Sequence, residues 1–206
     1  MDILRIVAAL VIGYMLGSLN TAVIIGRLYG KDIRAEGSKS AGLTNTLRVL
    51  GKSAAALVLV GDILKGIVAC VIGLRIGVYA EASGIGDCVS LLAAGAGAVI
   101  GHNWPLYFDF KGGKGALTGV AVLFMFDWRM ALICLVLFVA IVAATRYVSL
   151  GTVCASLLFV VLSFIPAFEH TIYFHLFACL MAAIVIFKHR TNIHRLLSGT
   201  ENKLAC

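Results

Sequence analysis

The apolar residues of this chain gather into long runs, near 3 to 26, 53 to 79, 88 to 101, 115 to 127, 129 to 145, 150 to 168 and 171 to 188. A helix needs about 20 residues to cross the hydrocarbon of a bilayer. Backbone in lipid must satisfy its own hydrogen bonds, which leaves helices as the solution for runs of this length. The pattern predicts an all-α polytopic membrane protein with about seven transmembrane helices, forming one integral-membrane domain over residues 1–206. The third and fourth runs are short, so they are tilted, packed within protein or re-entrant, and a re-entrant segment lowers the count to six. Composition excludes a water-soluble core: 61% of the chain is hydrophobic and 13% charged, against about 25% charged in a soluble domain, and the mean hydropathy is +1.03.

Charge orients the spans. The formal net charge is +7, which in a soluble protein would suggest nucleic acid, but here it is first sorted by membrane side. With seven spans, segments 27 to 52, 102 to 114, 146 to 149 and 188 to 206 share a side and hold thirteen of the seventeen basic residues. The opposite side holds Arg5, Arg75 and Arg129 beside Asp2, Glu81, Asp87, Asp127 and Glu169. This bias predicts a cytoplasmic C-terminus and a periplasmic N-terminus. The first run is too long for a signal-peptide core, so a retained span is expected. The six cysteines show no metal-ligand spacing; five lie in or beside apolar runs as small membrane-buried hydrophobes, and Cys206 is an exposed tail residue.

Four polar clusters fall on the basic side. The first, Gly30 to Gly51, sets Gly37, Ser38, Ser40, Gly42, Thr44 and Asn45 before Arg48. Such a loop turns N–H groups toward an anion. Thr44 is placed to cap a helix on which Arg48 shares its face. Hydroxyls, a helix N-terminus and a guanidinium then converge on a phosphate; an ordinary linker with a capped amphipathic helix has the same composition. The second, Gly101 to Gly115, places Gly112 and Gly113 between Lys111 and Lys114, so that backbone can approach a ligand and a lysine can follow it. Lys111 reads as a surface anchor, and His102 and Trp104 as interface markers. Neither this loop nor Gly51 to Ser53 is a Walker A motif, because Gly115 and Thr46 stand at its required positions.

The third cluster pairs Arg146 with Ser149, and the fourth places His189 and Asn192 on one face of a basic tail segment. A snorkelling arginine and a tail resting on anionic lipid are the alternatives. No carboxylate or cysteine lies within one helical turn of either tail histidine, so no metal is expected. Inside the second span, Asp62 and Lys65 are one helical turn apart and read as a structural ion pair. An organic-phosphate transporter remains a rival, although the polar groups gather at one interface instead of the midplane.

The strings KDIRAEGSKSAGLTNTLRVLGK, DILKG, GHNWPLYFDFKGGKGALT, RYVSL and HRTNIHRLLSGTENKL resemble the bacterial glycerol-3-phosphate acyltransferases that use acyl phosphate. Ser40 stands where that family usually has asparagine, Leu43 where it has alanine, and Asn20 where it has proline. The resemblance implies transfer of a fatty acyl group from acyl phosphate to the 1-hydroxyl of glycerol 3-phosphate. The products are lysophosphatidate and phosphate, in the first step of phospholipid synthesis. It implies an enzyme of the bacterial inner membrane whose site faces the cytoplasm, with membrane lipid as surroundings and no cofactor, metal or nucleic acid. Carried onto matching positions, Ser38, Thr44, Asn45, Gly112, Gly113 and Lys114 contact phosphate or acyl phosphate. Arg48, Lys114, Ser149, His189 and Asn192 engage glycerol 3-phosphate, and Lys114, Arg48 and His189 are the catalytic candidates. No base is evident: the fifth residue after His102 is Tyr107, and after His189 it is His194, so the HxxxxD signature of the other acyltransferase class is absent. A substrate phosphate oxygen is the expected proton acceptor, with His189 the alternative.

Overall fold

The computed structural model describes residues 1–79 and 88–204. Glu81, Asp87 and Cys206, whose placement the sequence suggests, lie outside them. The described residues are helical, with no strand beyond an isolated bridge between Tyr79 and Cys88. Among the described residues there are ten α-helices, all but α3 and α10 along the apolar runs: α1 (Asp2–Ser18), α2 (Thr21–Leu28), α3 (Leu43–Leu50), α4 (Lys52–Ile76), α5 (Val89–Asn103), α6 (Ala116–Phe126), α7 (Trp128–Thr145), α8 (Val148–Ser163), α9 (Ile172–Lys188) and α10 (Arg190–Leu197). Among the described residues, three segments are long and apolar enough to cross a membrane: Asp2–Leu28, α4 and α7. A fourth is reached if α9 and α10, bent by 60° at their junction, count together. Helix α6 has 11 residues and so spans only about 16 Å.

The first run is broken at Leu19–Asn20. Asn20 caps α2 by accepting from the Val23 N–H at 3.1 Å, and its amide nitrogen donates to the His102 carbonyl at 3.4 Å. A side chain thus secures the break between α1 and α2. Helix α1 then packs against α5 at backbone contact. A Cβ on Gly13 would collide with the Ala94 carbonyl, and one on Gly97 with the Leu10 carbonyl. Small residues at such crossings let dispersion act between backbones where lipid supplies no hydrophobic drive.

Helices α5 to α9 enclose an aromatic core in which Phe174, fully buried, meets Phe126, Phe159 and Phe177 at ring distances of 5.8 to 6.3 Å. Outward faces are apolar too: Leu57, Val60 and Leu64 on α4, Val136 and Val139 on α7, and Leu176 and Leu180 on α9 are exposed. An exposed apolar band of this kind belongs against lipid. Cys70, Cys88 and Cys134 are buried, Cys154 is half-buried and Cys179 is exposed on α9, whose outward face also carries the exposed Leu176 and Leu180.

Candidate active site

Asn45 organises the first loop. Its side-chain oxygen accepts from the Ser38 N–H at 2.8 Å, while its amide nitrogen donates to the carbonyls of Ile33 at 2.9 Å and Glu36 at 3.0 Å. Gly37 permits this at φ 58°, and a Cβ there would collide with the Asn45 oxygen. The side chain is therefore engaged in the loop, and it holds Ser38 in place. Arg34 anchors the same loop, binding Asp32 at 3.0 Å and donating to the Phe108 carbonyl at 3.0 Å.

Helix α3 begins two residues earlier than the sequence suggests. Gly42, extended, is its N-cap, with no side-chain cap bond, so Thr44 lies in the first turn and does not cap. The uncapped N–H groups of that turn retain their capacity for an anion. Arg48 follows on the same helix, exposed, its side chain without an ion pair or hydrogen bond among the described residues.

The glycine pair is held from below by His102, whose carbonyl accepts from the Gly113 N–H at 3.0 Å. A Cβ on Gly112 would strike that carbonyl, and one on Gly113 the imidazole Nε2. His102 is no interface marker: it is 3% exposed, because Lys65 Nζ lies 2.8 Å from its Nδ1 and Asp62 Oδ1 lies 3.6 Å away. Lys65 and Asp62 form the expected pair at 2.8 Å. Lys65 also donates to the Leu19 carbonyl at 3.3 Å, so the cluster ties the break of the first run, α4 and the glycine loop together.

Lys114 Nζ donates to Asn192 Oδ1 at 2.6 Å. Burial pushes its ammonium down to about 8, with Arg195, Lys188 and Arg48 acting in the same sense and Glu201 opposing. His189, at the bend between α9 and α10, places Nδ1 2.8 Å from the Val185 carbonyl. A carbonyl only accepts, so Nδ1 carries the proton and Nε2 the lone pair. Burial pushes this imidazole down to about 4, which keeps it neutral at pH 7.

Glu201 is the site residue that sequence reasoning missed. Its Oε1 accepts from Asn192 Nδ2 at 2.6 Å and Ser149 Oγ at 2.8 Å, and its Oε2 accepts from Arg195 Nε at 2.8 Å. Burial would raise its carboxyl, but the bonds from Arg195, Asn192 and Ser149 outweigh this and hold it below the usual range. The tail bearing it is pinned by the Leu204 N–H donating to the Arg146 carbonyl at 2.8 Å. Its signal in the sequence was slight: one acid, Glu201, in a basic tail.

Eight of the ten predicted positions, Ser38, Thr44, Asn45, Arg48, Lys114, Ser149, His189 and Asn192, line one cavity of about 510 Å³. Gly112 and Gly113 sit behind its wall on His102. Asp62, His102, Arg195 and Glu201 join the lining. From this polar head the cavity continues as an apolar groove through Leu117 and Leu123 on α6, Phe138 on α7, Ala155 on α8 and Met181 on α9. The Ala93 to Ala98 stretch contributes nothing to that wall and serves packing alone. The cavity thus pairs a cationic, donor-rich mouth with a lipid-like interior.

Known proteins match this chain over nearly its whole length. A protein from Thermoanaerobacter pseudethanolicus is 42% identical over 195 residues, covering 94% of this chain and 93% of its own. One from Halalkalibacterium halodurans is 43% identical over 203 residues, covering 95% and 94%; both are named glycerol-3-phosphate acyltransferase. The crystal structure of PlsY (YgiH), an integral membrane glycerol 3-phosphate acyltransferase, matches in its glycerol 3-phosphate form with a TM-score of 0.87 at 32% identity, over 97% of this chain and 96% of that one. Its lysophosphatidic acid form matches with a TM-score of 0.83 at 33% identity, over 96% and 94%. With residues 7–199 also matching the family described as glycerol-3-phosphate acyltransferase, this integral membrane chain belongs to that family.

Proposed function

We propose that this protein transfers a fatty acyl group from acyl phosphate to the 1-hydroxyl of glycerol 3-phosphate, at the cytoplasmic face of a bacterial inner membrane that it crosses with seven helical segments. The observation that carries the reading is the single cavity whose cationic mouth opens into an apolar groove. One substrate is a small dianion and the other a lipid with a phosphate head, and the two must meet. The relative of known structure was captured in a glycerol 3-phosphate form and a lysophosphatidic acid form, the acceptor and the acylated product of this reaction. The donor follows from the sequence resemblance.

In this reading Arg48, Lys114, Ser149, His189 and Asn192 bind glycerol 3-phosphate, while Ser38, Thr44 and the first turn of α3 receive the acyl phosphate, and the Gly112–Gly113 loop carries Lys114 to the site. Asn45 and Gly113 act by holding those elements. The acceptor hydroxyl oxygen attacks the acyl carbon, the bond from that carbon to the phosphate oxygen breaks, and inorganic phosphate departs with the electron pair. Cations and N–H donors aimed at the departing charge lower the barrier, and orientation of an already activated donor contributes several kcal/mol more. The hydroxyl proton passes to a substrate phosphate oxygen. A phosphate monoester with second pKa of about 6 is a stronger base than an imidazole held at about 4, which favours this route over His189.

Purified protein given palmitoyl phosphate is expected to release inorganic phosphate only when glycerol 3-phosphate is added, with lysophosphatidate formed in equal amount. Absence of coupled release, or an equal rate with palmitoyl-CoA, would overturn the assignment of donor and reaction.

A further inference from the structure

The apolar groove has a bottom. Its lining on α6 ends at Phe126, on α8 at Phe159 and on α9 at Phe177. The last two helices carry the polar mouth at their other ends, through Ser149 and His189, while Lys114 stands just before α6. Ten to twelve residues separate mouth from ring on each helix, a depth of about 15–18 Å at the helical rise. Phe126 and Phe177 meet edge to face at 4.8 Å, and Phe159 and Phe177 at 6.4 Å. Behind the three rings stands Phe174, fully buried and outside the lining. Edge-to-face rings resist displacement because their geometry is favoured beyond area burial, so the closure is rigid.

We infer that Phe126, Phe159 and Phe177 form a stop that sets the acyl-chain length this enzyme prefers, an inference resting on the acyltransferase reading above. Carbon–carbon bonds of about 1.5 Å meeting at about 111° advance an extended chain by about 1.25 Å per carbon. The groove therefore holds about twelve to fourteen carbons in extended form, and longer chains must bend before the aromatic wall. Truncating a ring lengthens the groove, and filling it nearer the mouth shortens it.

The test measures kcat/KM for acyl phosphates of twelve to eighteen carbons with the full-length enzyme, its Phe177→Ala and Phe159→Leu variants, and the shortening variant Ala155→Phe. The stearoyl-to-myristoyl ratio should rise at least threefold in the ring variants, and the lauroyl-to-palmitoyl ratio should rise in Ala155→Phe. A purely packing role for the rings lowers every chain length together and leaves these ratios fixed. Unchanged ratios in the variants that fold, as judged by monodisperse elution, overturn the stop while leaving the acyltransferase reading intact. A wild-type enzyme inactive with every acyl phosphate overturns both.

Discussion

Lys114 Nζ lies 2.6 Å from Asn192 Oδ1, joining the glycine loop before α6 to the C-terminal helix α10 across 78 positions of sequence. The amide oxygen aims the ammonium without neutralising it, so the cation stays available to an anion. Losing one donor that stabilises developing charge costs about 10²–10³ in kcat. Lys114→Ala should therefore lower kcat/KM for glycerol 3-phosphate by at least that much. Asn192→Ala should lower it less, mainly through KM. Steady-state kinetics at saturating acyl phosphate measures both, and a Lys114→Ala enzyme within tenfold of wild type would remove the lysine from the mechanism.

Two ionisations should frame the pH dependence. Lys114, pushed down to about 8 by burial, carries its charge below that value and loses it above. A phosphate base needs its second proton removed, at about pH 6. The kcat/KM profile, which reports the free species, should rise through about 6 and fall through about 8. Bound dianion holds the proton on Lys114, so the alkaline limb of kcat should lie higher. Arginine stays charged throughout, and Lys114→Arg should abolish the alkaline limb while keeping measurable activity. Persistence of that limb would place the ionisation elsewhere.

What was legible in the sequence was what local pattern encodes. Apolar runs marked α4, α7 and α9 to within a few residues, because burial of a continuous stretch needs no distant partner to be recognised. Gly112, Gly113 and Lys114 stood out because short spacing and unusual residue types announce a backbone near a ligand. His102 was misread because its partners, Lys65 and Asp62, come from another helix. Thr44 failed as a cap for a different reason: Gly42 enters α3 extended two residues before the side-chain signal. Glu201 was invisible because a lone acid in a basic tail acquires meaning only when Ser149, Asn192 and Arg195 meet on it.

That convergence makes Glu201 a structural member of the mouth. Its side chain is 6% exposed and that of Arg195 27%, so removal leaves three donors short of an acceptor. Each orphaned buried group costs about 1–3 kcal/mol, but the opening left by Glu201→Ala admits water to most of them. A net loss of about 1–3 kcal/mol, or roughly 2–12 °C in Tm, is expected. Glu201→Gln keeps the acceptor oxygen for Ser149 and Asn192 and should lose about half as much. Thermal unfolding in detergent provides the measurement; equal stability of Glu201→Ala and wild type would contradict the assignment.

Asp62 and Lys65 should respond to mutation as a pair. Their side chains are 1% and 5% exposed, and breaking a buried ion pair from one side typically costs about 3–5 kcal/mol because the surviving charge is uncompensated. Asp62→Asn leaves the Lys65 ammonium beside His102 and the Leu19 carbonyl; Lys65→Met leaves the Asp62 carboxylate in an apolar span. Either single substitution should therefore be severe. The double variant Asp62→Asn/Lys65→Met removes both charges and should recover at least half of the summed loss, a coupling energy that a double-mutant cycle reads directly. Because His102 carries Gly113 on its carbonyl, the stable double variant should still show a raised KM for glycerol 3-phosphate. Additive losses would mean that each residue serves a separate partner, and an unchanged KM would disconnect the buried cluster from the glycine loop.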